Sequence, residues 1–267
     1  MPSVAPHWIV LAGLALATAG MVLLWALQRR TKNAAIVDVG WTVAVGALGV
    51  IYAFTLDGAG LRRLLLGAMI GLWSARLALH LLRDRILGHP EEGRYVRLRE
   101  HWGEAADRKL LGFFIAQALA AVALSLAFLP GLQATRAGPD VFDIAGVLLF
   151  VGALVGESIA DRQLAAFKAD PANAGKVFDQ GLWGWSRHPN YFFEWLVWCA
   201  FVLPGLPSPG GWLALLGPVV MFLLVTRVTG IPTSEAQALR SRGDAYRDYQ
   251  QRVAAFVPRP PRTETPA

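Results

Sequence analysis

Near its start the chain reads WIVLAGLALATAGMVLLWAL (Trp8–Leu27), a run of twenty residues that carries no charge. At a rise of about 1.5 Å per residue, a helix of this length crosses the roughly 30 Å hydrocarbon core of a bilayer. The rest of the chain has the same character, because 55% of its 267 residues are hydrophobic and only 16% are charged. A soluble domain carries about 25% charged residues. The composition therefore predicts an all-α, polytopic membrane protein.

Seven apolar segments predict seven transmembrane helices, at about 7–28, 34–55, 62–83, 109–131, 141–160, 191–207 and 211–229. The fifth is expected to continue as a helix through Lys168. Arginine and lysine concentrate after the first, third, fifth and seventh segments, whereas the opposite loops hold only Arg62, Arg63 and Arg136. The positive-inside rule then places the N-terminus outside and the C-terminus in the cytoplasm. We expect a bacterial inner membrane protein whose site opens to the cytoplasm.

Composition also excludes several kinds of site. The single cysteine, Cys199, rules out an internal disulfide and a cysteine-cluster metal site. The five histidines show no ligand spacing, so we expect no metal. The net charge of +6 comes from basic residues in loops between apolar segments, which argues against nucleic-acid binding. No glycine-rich fingerprint follows a strand, so any dinucleotide site here is not a Rossmann site.

The segment after Ile231 is polar and is predicted to form one helix that ends before Pro258. Glu235, Tyr246 and Tyr249 would share one stripe of that helix. We expect a single transmembrane domain over 1–258 and a disordered tail over 259–267.

The most polar stretch reads GLWGWSRHPNYFFE (Gly181–Glu194) and lies at the mouth of the sixth apolar segment. Polar groups entering a membrane helix are costly and usually mark a site. Asn190 and Glu194, four residues apart, could hold a carboxamide such as nicotinamide, since an amide donates and accepts while a carboxylate accepts. Arg187 could fork onto a phosphate. The alternative for the Asn190–Glu194 pair is an interhelical hydrogen bond.

Two further polar groups are candidates for ligand binding. Glu157, Asp161 and Lys168 fall on one face of a predicted helix, which could hold a sugar hydroxyl, an amide or a phosphate, or could be an ordinary salt-bridge face. The segment Arg94–Gly103, which includes Tyr95, is read as a basic cytoplasmic loop. It could clamp a diphosphate or face lipid headgroups.

Asp38 and His80 are the candidates for chemistry. Asp38 lies near the start of the second apolar segment, where a charge needs a partner or a water-filled cavity. His80 lies in the third segment, and a buried histidine beside a carboxylate can act as a proton donor. The alternative for each is a satisfied buried polar group.

Together these motifs resemble the steroid 5α-reductase family of integral membrane, NADPH-dependent reductases. The resemblance runs from Asp38 to Pro258. It rests on VDVGW at 37–41, the Arg94–Gly103 segment, ESIAD at 157–161, Gly181–Glu194, AYRDY at 245–249 and FVP at 256–258. The Arg-His-Pro-Asn-Tyr element alone is less specific, because sterol C14-reductases and isoprenylcysteine carboxyl methyltransferases carry close versions.

The resemblance implies a seven-helix fold whose cytoplasmic half, largely residues 157–258, encloses NADPH. It implies that Asn190 and Glu194 hold the nicotinamide and that Arg187 and His188 face phosphate or ribose. The other cofactor residues it implies are Glu157, Asp161, Lys168, Tyr191, Glu235, Tyr246, Tyr249, Arg94 and Tyr95. The catalytic Glu and Tyr of the animal enzymes correspond to Asp38 and His80, so this chain departs from the family pattern at both positions.

The expected activity is NADPH-dependent reduction of the C4–C5 double bond of a 3-oxo-Δ4 steroid or a similar apolar enone that enters from the lipid. His80, oriented by Asp38, would polarise the carbonyl oxygen. We expect a monomer. A methyltransferase that uses S-adenosylmethionine, of the isoprenylcysteine or phospholipid type, is the alternative. A lipid- or sterol-binding scaffold without a cofactor is a third possibility.

Overall fold

The computed structural model describes residues 5–136 and 138–262, and within them no strand is present. The prediction of an all-α protein is confirmed for this part of the chain. Its α-helices are α1 (Pro6–Thr31), α2 (Ile36–Thr55), α3 (Gly60–Leu81), α4 (Gly93–Trp102), α5 (Ala106–Ser125), α6 (Leu129–Leu132), α7 (Val141–Ala169), α8 (Pro189–Val202), α9 (Leu216–Leu223), α10 (Ile231–Arg242) and α11 (Asp244–Arg252). Residues 263–267 of the tail lie outside the described residues.

Within the described residues, six helical stretches are long and apolar enough to cross a membrane, so the chain is a multi-pass membrane protein. They are Pro6–Thr31, Ile36–Thr55, Gly60–Ile86, Gly93–Leu132, Val141–Ala169 and Gly211–Arg242. The predicted sixth segment falls on α8, which has only 14 residues. At about 1.5 Å per residue, α8 is roughly 21 Å long and shorter than the hydrocarbon core. The count of seven therefore stays a prediction.

Two predictions about the helices are wrong, and one about the end of α7 is confirmed. The Arg94–Gly103 segment is a helix, α4, and its prediction as a loop is wrong. The predicted single helix after Ile231 is also wrong, because it is divided into α10 and α11 at Gly243, whose φ of 54° favours glycine. The fifth segment does continue as a helix past Lys168, since α7 ends at Ala169.

The chain forms two compact units. Unit 1 consists of Met1–Asp143 and Phe201–Leu216, and unit 2 of Ile144–Ala200 and Gly217–Ala267. The prediction of one domain over 1–258 stays a prediction.

Small residues let α2 and α3 approach closely in unit 1. A Cβ atom on Gly67 would lie 2.7 Å from the Ala53 Cβ, and one on Gly49 would lie 2.7 Å from the Ile70 Cγ2. Such positions are typical of packed membrane helices, where dispersion forces rather than water drive association. Trp73, which is fully buried, packs edge-on against other rings of the same unit.

The buried ion pair between Arg62 and Asp143, which we call the Arg62 clasp, lies at the N-terminal end of α3. Arg62 donates to both carboxylate oxygens of Asp143 at 2.7 Å and to the carbonyls of Arg136 and Gly138 at 2.9 Å. The two charged side chains are 1% and 2% exposed. This bidentate geometry joins the start of α3 to the start of α7 within unit 1.

Unit 2 is held by aromatic contacts and by indole hydrogen bonds. Phe256 packs against Phe192, Trp195 and Phe222, with ring centroids 5.5–5.9 Å apart. Trp183 Nε1 donates to the Ala160 carbonyl at 2.9 Å, which fixes the 181–188 segment against α7. The Arg-His-Pro-Asn-Tyr motif is thereby held at the start of α8.

Candidate functional site

Arg187 is the centre of a charged cluster in unit 2. Its Nε donates to Glu235 Oε1 at 2.7 Å, and one terminal nitrogen donates to the carbonyls of Gln250 and Val253. The second oxygen of Glu235 accepts from Gln250 Nε2 at 2.8 Å. We call Arg187, His188, Glu235 and Gln250 the Arg187 cluster. It brings together a motif residue and Glu235, which were predicted to share one site.

Tyr191 packs against His188, a member of this cluster. Their rings stack at 5.3 Å with an interplanar angle of 5°. His188 Nε2 lies 3.3 Å from Glu235 Oε1, and the Tyr191 hydroxyl lies 3.1 Å from that of Ser234. The first turns of α8 and α10 are thus joined through polar side chains rather than through apolar contacts alone.

A second polar group joins α7 to α8. Asn190 Nδ2 donates to Asp161 Oδ1 at 3.4 Å. One turn further along α8, Glu194 is buried and accepts from the Trp198 indole at 3.1 Å. Glu157, one turn before Asp161 on α7, is also buried. The predicted amide and carboxylates therefore occupy facing turns of two helices within one unit.

Lys168 is placed apart from these carboxylates. It is exposed in the last turn of α7, seven residues beyond Asp161. At about 1.5 Å per residue, this separates the two Cα atoms by roughly 10 Å along the helix. Lys168 can meet a ligand that extends along α7, but its position is distinct from that of Asp161.

The two predicted tail tyrosines are both buried in unit 2. Tyr249 donates its hydroxyl hydrogen to the Trp183 carbonyl at 2.5 Å. Burial raises the pKa of Tyr246 to about 12; the Glu235 carboxylate adds to the rise, and the Arg187 guanidinium opposes it. Both rings belong to an apolar cluster with Ala238 and Val253. The Tyr249 hydroxyl is thus engaged by the protein itself.

In unit 1, Asp38 is the centre of a different charged group. Tyr95 donates to Asp38 Oδ1 at 3.1 Å, Arg85 donates to Oδ2 at 3.3 Å, and Arg94 also contacts Oδ2. Arg85 and Arg94 are further paired with Glu92 at 3.2 Å. The Asp38 side chain remains 16% exposed. Arg94 and Tyr95 were predicted to bind the cofactor, but in the structure they contact the carboxylate of Asp38, the predicted catalytic residue.

His80 lies in the last turn of α3 and is half-buried. In the part of the chain that the structure describes, the contacts that hold the Asp38 carboxylate come from Arg85, Arg94 and Tyr95. The prediction that Asp38 orients His80 stays a prediction.

Sequence reasoning did not single out Arg85, Glu92, Ser234 or Gln250. Arg85 had been assigned to the positive-inside pattern, which explains basic loops without specifying contacts. Gln250 is adjacent to Tyr249, but an uncharged residue in a polar helix gives no signal of its own. Within residues 5–136 and 138–262, no group of three His, Cys, Asp or Glu side chains could hold a metal ion.

Comparison with known proteins assigns a family. A family model described as a protein of unknown function, DUF1295, matches residues 24–253. An uncharacterized protein of Schizosaccharomyces pombe is 30% identical over 268 aligned residues, which cover 89% of this chain and 76% of the yeast protein. No solved structure matches the chain. The chain belongs to the DUF1295 family.

Proposed function

We propose that this protein is an NADPH-dependent reductase of an apolar enone, with a 3-oxo-Δ4 steroid as the model substrate. The observation that carries the proposal is the Asn190–Asp161 contact at 3.4 Å, with Glu194 buried one turn further along α8. The DUF1295 family includes steroid 5α-reductase-like membrane proteins, which supports the same reading.

The residues of unit 2 fit the chemistry of a dinucleotide. Asn190 and Glu194 offer a donor and an acceptor to a carboxamide, and Asp161 offers an acceptor to a hydroxyl. His188, Tyr191 and the exposed Lys168 extend this surface, while Glu157 adds a second buried carboxylate on α7. The bound cofactor would supply a hydride. The residues named here would bind and orient it, since the chemistry of transfer is the cofactor's own.

The substrate half of the proposal rests on unit 1. The hydride would go to the β-carbon of the enone, and His80 would donate a hydrogen bond to the carbonyl oxygen and so stabilise the negative charge that develops there. A proton from solvent or a relay would then reach the α-carbon and complete the reduction. Asp38, whose carboxylate Arg85 and Arg94 both contact, would orient His80. A flat apolar substrate would enter from the lipid, because the surrounding helices are apolar.

We also infer seven passes, with the N-terminus outside and the C-terminus in the cytoplasm of a bacterial inner membrane. The 14 residues of α8 would cross together with the residues that follow it. A reporter that folds only in the cytoplasm, fused to the C-terminus, should be active. An active reporter of periplasmic folding at the same position would contradict the orientation.

The test of the reductase is to titrate the purified protein with NADPH and then follow the loss of NADPH absorbance after an enone is added. His80→Phe should abolish turnover and leave NADPH affinity unchanged, because only the carbonyl donor is removed. His89→Phe, at an exposed histidine, is the matched control and should turn over normally. A His80→Phe enzyme with the normal rate would remove His80 from the mechanism, and absent NADPH binding would remove the function.

The second candidate is a membrane methyltransferase that uses S-adenosylmethionine. The observation that favours it is the contact of Glu235, on the tail helix, with Arg187 and His188 of the motif. This activity has no need for Asp38 and His80. Titration with S-adenosylmethionine separates the two candidates, because the reductase should bind NADPH and show no saturable binding of the methyl donor.

A further inference from the structure

A cavity of about 240 Å³ lies in unit 2 beside the C-terminal end of α11. Residues 250–255 form one wall of this cavity. The charged side chains that line it are all arginines, namely Arg187, Arg252, Arg259 and Arg262. Four guanidinium groups around one small cavity favour the binding of an anion among them.

The protein itself supplies only part of that negative charge. Arg187 is paired with Glu235 at 2.7 Å, and Arg252 with Asp179 at 3.0 Å. Among the described residues, neither Arg259 nor Arg262 forms a salt bridge, and both are exposed. Within residues 5–136 and 138–262, these two cations at the cavity therefore have no carboxylate partner.

The wall that carries these two arginines is held in place by its backbone. The Arg259 amide donates to the Trp185 carbonyl at 3.0 Å, and the Arg262 amide donates to the Arg252 carbonyl at 2.9 Å. Pro258, Pro260 and Pro261 lie between and beside them and restrict φ. Because the chain is fixed on both sides, less conformational entropy is lost when a ligand orders the side chains.

We propose that this cavity binds a phosphate group. Guanidinium groups match phosphate oxygens in charge and in their paired geometry, and they bind phosphate more specifically than lysines do. The volume is below the roughly 300–1,000 Å³ of sites that enclose a whole drug-sized ligand, so the cavity suits a headgroup-sized anion. The phosphate could belong to a soluble nucleotide or to an anionic lipid headgroup.

If the phosphate is that of a nucleotide, the inference rests on the proposed function and names a further contact of the same cofactor. If it is that of a lipid, the cavity is independent of the reductase. Binding of a simple phosphate probe does not need turnover, so a failed reductase assay leaves this inference standing, and the reverse also holds.

The test uses the purified full chain in nanodiscs of phosphatidylcholine and measures the binding of inorganic pyrophosphate by calorimetry. The double variant Arg259→Gln/Arg262→Gln should weaken pyrophosphate binding at least about tenfold, since it removes both unpaired cations. Arg108→Gln/Arg240→Gln is the matched control, because it removes two exposed arginines that do not line the cavity. This control should bind as the unmodified protein does.

Two competitors then identify the source of the phosphate. Displacement of pyrophosphate by 2′,5′-ADP supports a nucleotide, and its displacement when phosphatidylglycerol replaces phosphatidylcholine supports a lipid headgroup. The proposal is overturned if the unmodified protein does not bind pyrophosphate, if neither competitor displaces it, or if the double variant binds as tightly as the control.

Discussion

The Arg62 clasp and the Arg187 cluster are both built on a buried arginine, yet they differ in how completely that arginine is satisfied. Arg62 is 1% exposed and takes both oxygens of one carboxylate as well as two carbonyls. Arg187 is 10% exposed and also donates to two carbonyls, but it takes only a single oxygen of Glu235, which His188 also approaches. Arg187 also lines a cavity.

This difference indicates that the Arg62 clasp is a structural ion pair, whereas the Arg187 cluster is a candidate ligand-binding site. All three guanidinium nitrogens of Arg62 donate to protein acceptors, which leaves little capacity for a ligand, so the Arg62 clasp contributes geometry. In the Arg187 cluster, Arg187, His188 and Gln250 share the Glu235 carboxylate, and the cavity beside Arg187 is also lined by Arg259 and Arg262. The Glu235 carboxylate therefore neutralises Arg187 beside the cavity and also joins α10 to the Arg-His-Pro-Asn-Tyr motif.

The largest effect is expected from Asp143→Asn in the clasp. This change leaves the buried Arg62 cation with only the longer contact to the Asp140 carboxylate, at 3.5 Å, which should destabilise the protein by up to about 3–5 kcal/mol. Thermal unfolding of the purified protein measures the loss. The double variant Arg62→Leu/Asp143→Leu should recover most of it, because no charge remains buried. An Asp143→Asn protein as stable as the unmodified chain would show that the clasp is not structural.

Glu235→Gln should have a smaller effect on stability and an opposite effect on anion binding. Arg187 keeps its two carbonyl contacts, so we expect a loss of about 1–3 kcal/mol. Pyrophosphate affinity should increase, because Arg187 is then no longer neutralised beside the cavity. Calorimetry and thermal unfolding give the two readouts. Glu104→Gln, at an exposed carboxylate, is the control, and lower pyrophosphate affinity in Glu235→Gln would contradict the comparison.

The smallest effect is expected at alkaline pH from Tyr246→Phe. The pKa of Tyr246 is raised to about 12 by burial, whereas an unfolded tyrosine titrates near pH 10. The folded state therefore keeps this proton while the unfolded state gives it up. Stability is fully present below about pH 10 and is lost as the pH rises towards 12. Tyr246→Phe should lose less stability over this window in thermal unfolding, and equal losses would contradict the shift.

Hydropathy predicted most of the fold because burial in lipid demands long apolar helices with satisfied backbones. It could not predict where those helices are interrupted. Pro130 lies in the first turn of α6, where the predicted fourth segment had been continuous. Gly243 divides the tail because its φ of 54° ends α10, and hydrophobic periodicity does not report such a backbone conformation.

The site was predictable in its residue types but not in its pairing. Spacing placed Asn190 and Glu194 on one helix face, and a polar residue at a membrane boundary is a strong signal by itself. The contact of Asn190 with Asp161 joins residues 29 positions apart, and no local pattern encodes such a contact. Asp38 shows the same limit. Its partner Arg85 lies on a π-helical segment, Leu82–Ile86, that continues α3, and its partners Arg94 and Tyr95 lie on α4.

The hydrogen bonds from the tail have a consequence for biogenesis. Arg187 donates its amide to the Ala254 carbonyl, Ser186 donates its hydroxyl to the Phe256 carbonyl, and Arg259 donates its amide to the Trp185 carbonyl. The Arg-His-Pro-Asn-Tyr motif and the two residues before it can form these hydrogen bonds only after residues about seventy positions later have been synthesised. A ribosome that stopped at residue 252 would release every helix described above but leave the motif without these contacts. We expect such a truncated product to insert with its motif unsupported, because the apolar helices that drive insertion all precede residue 252.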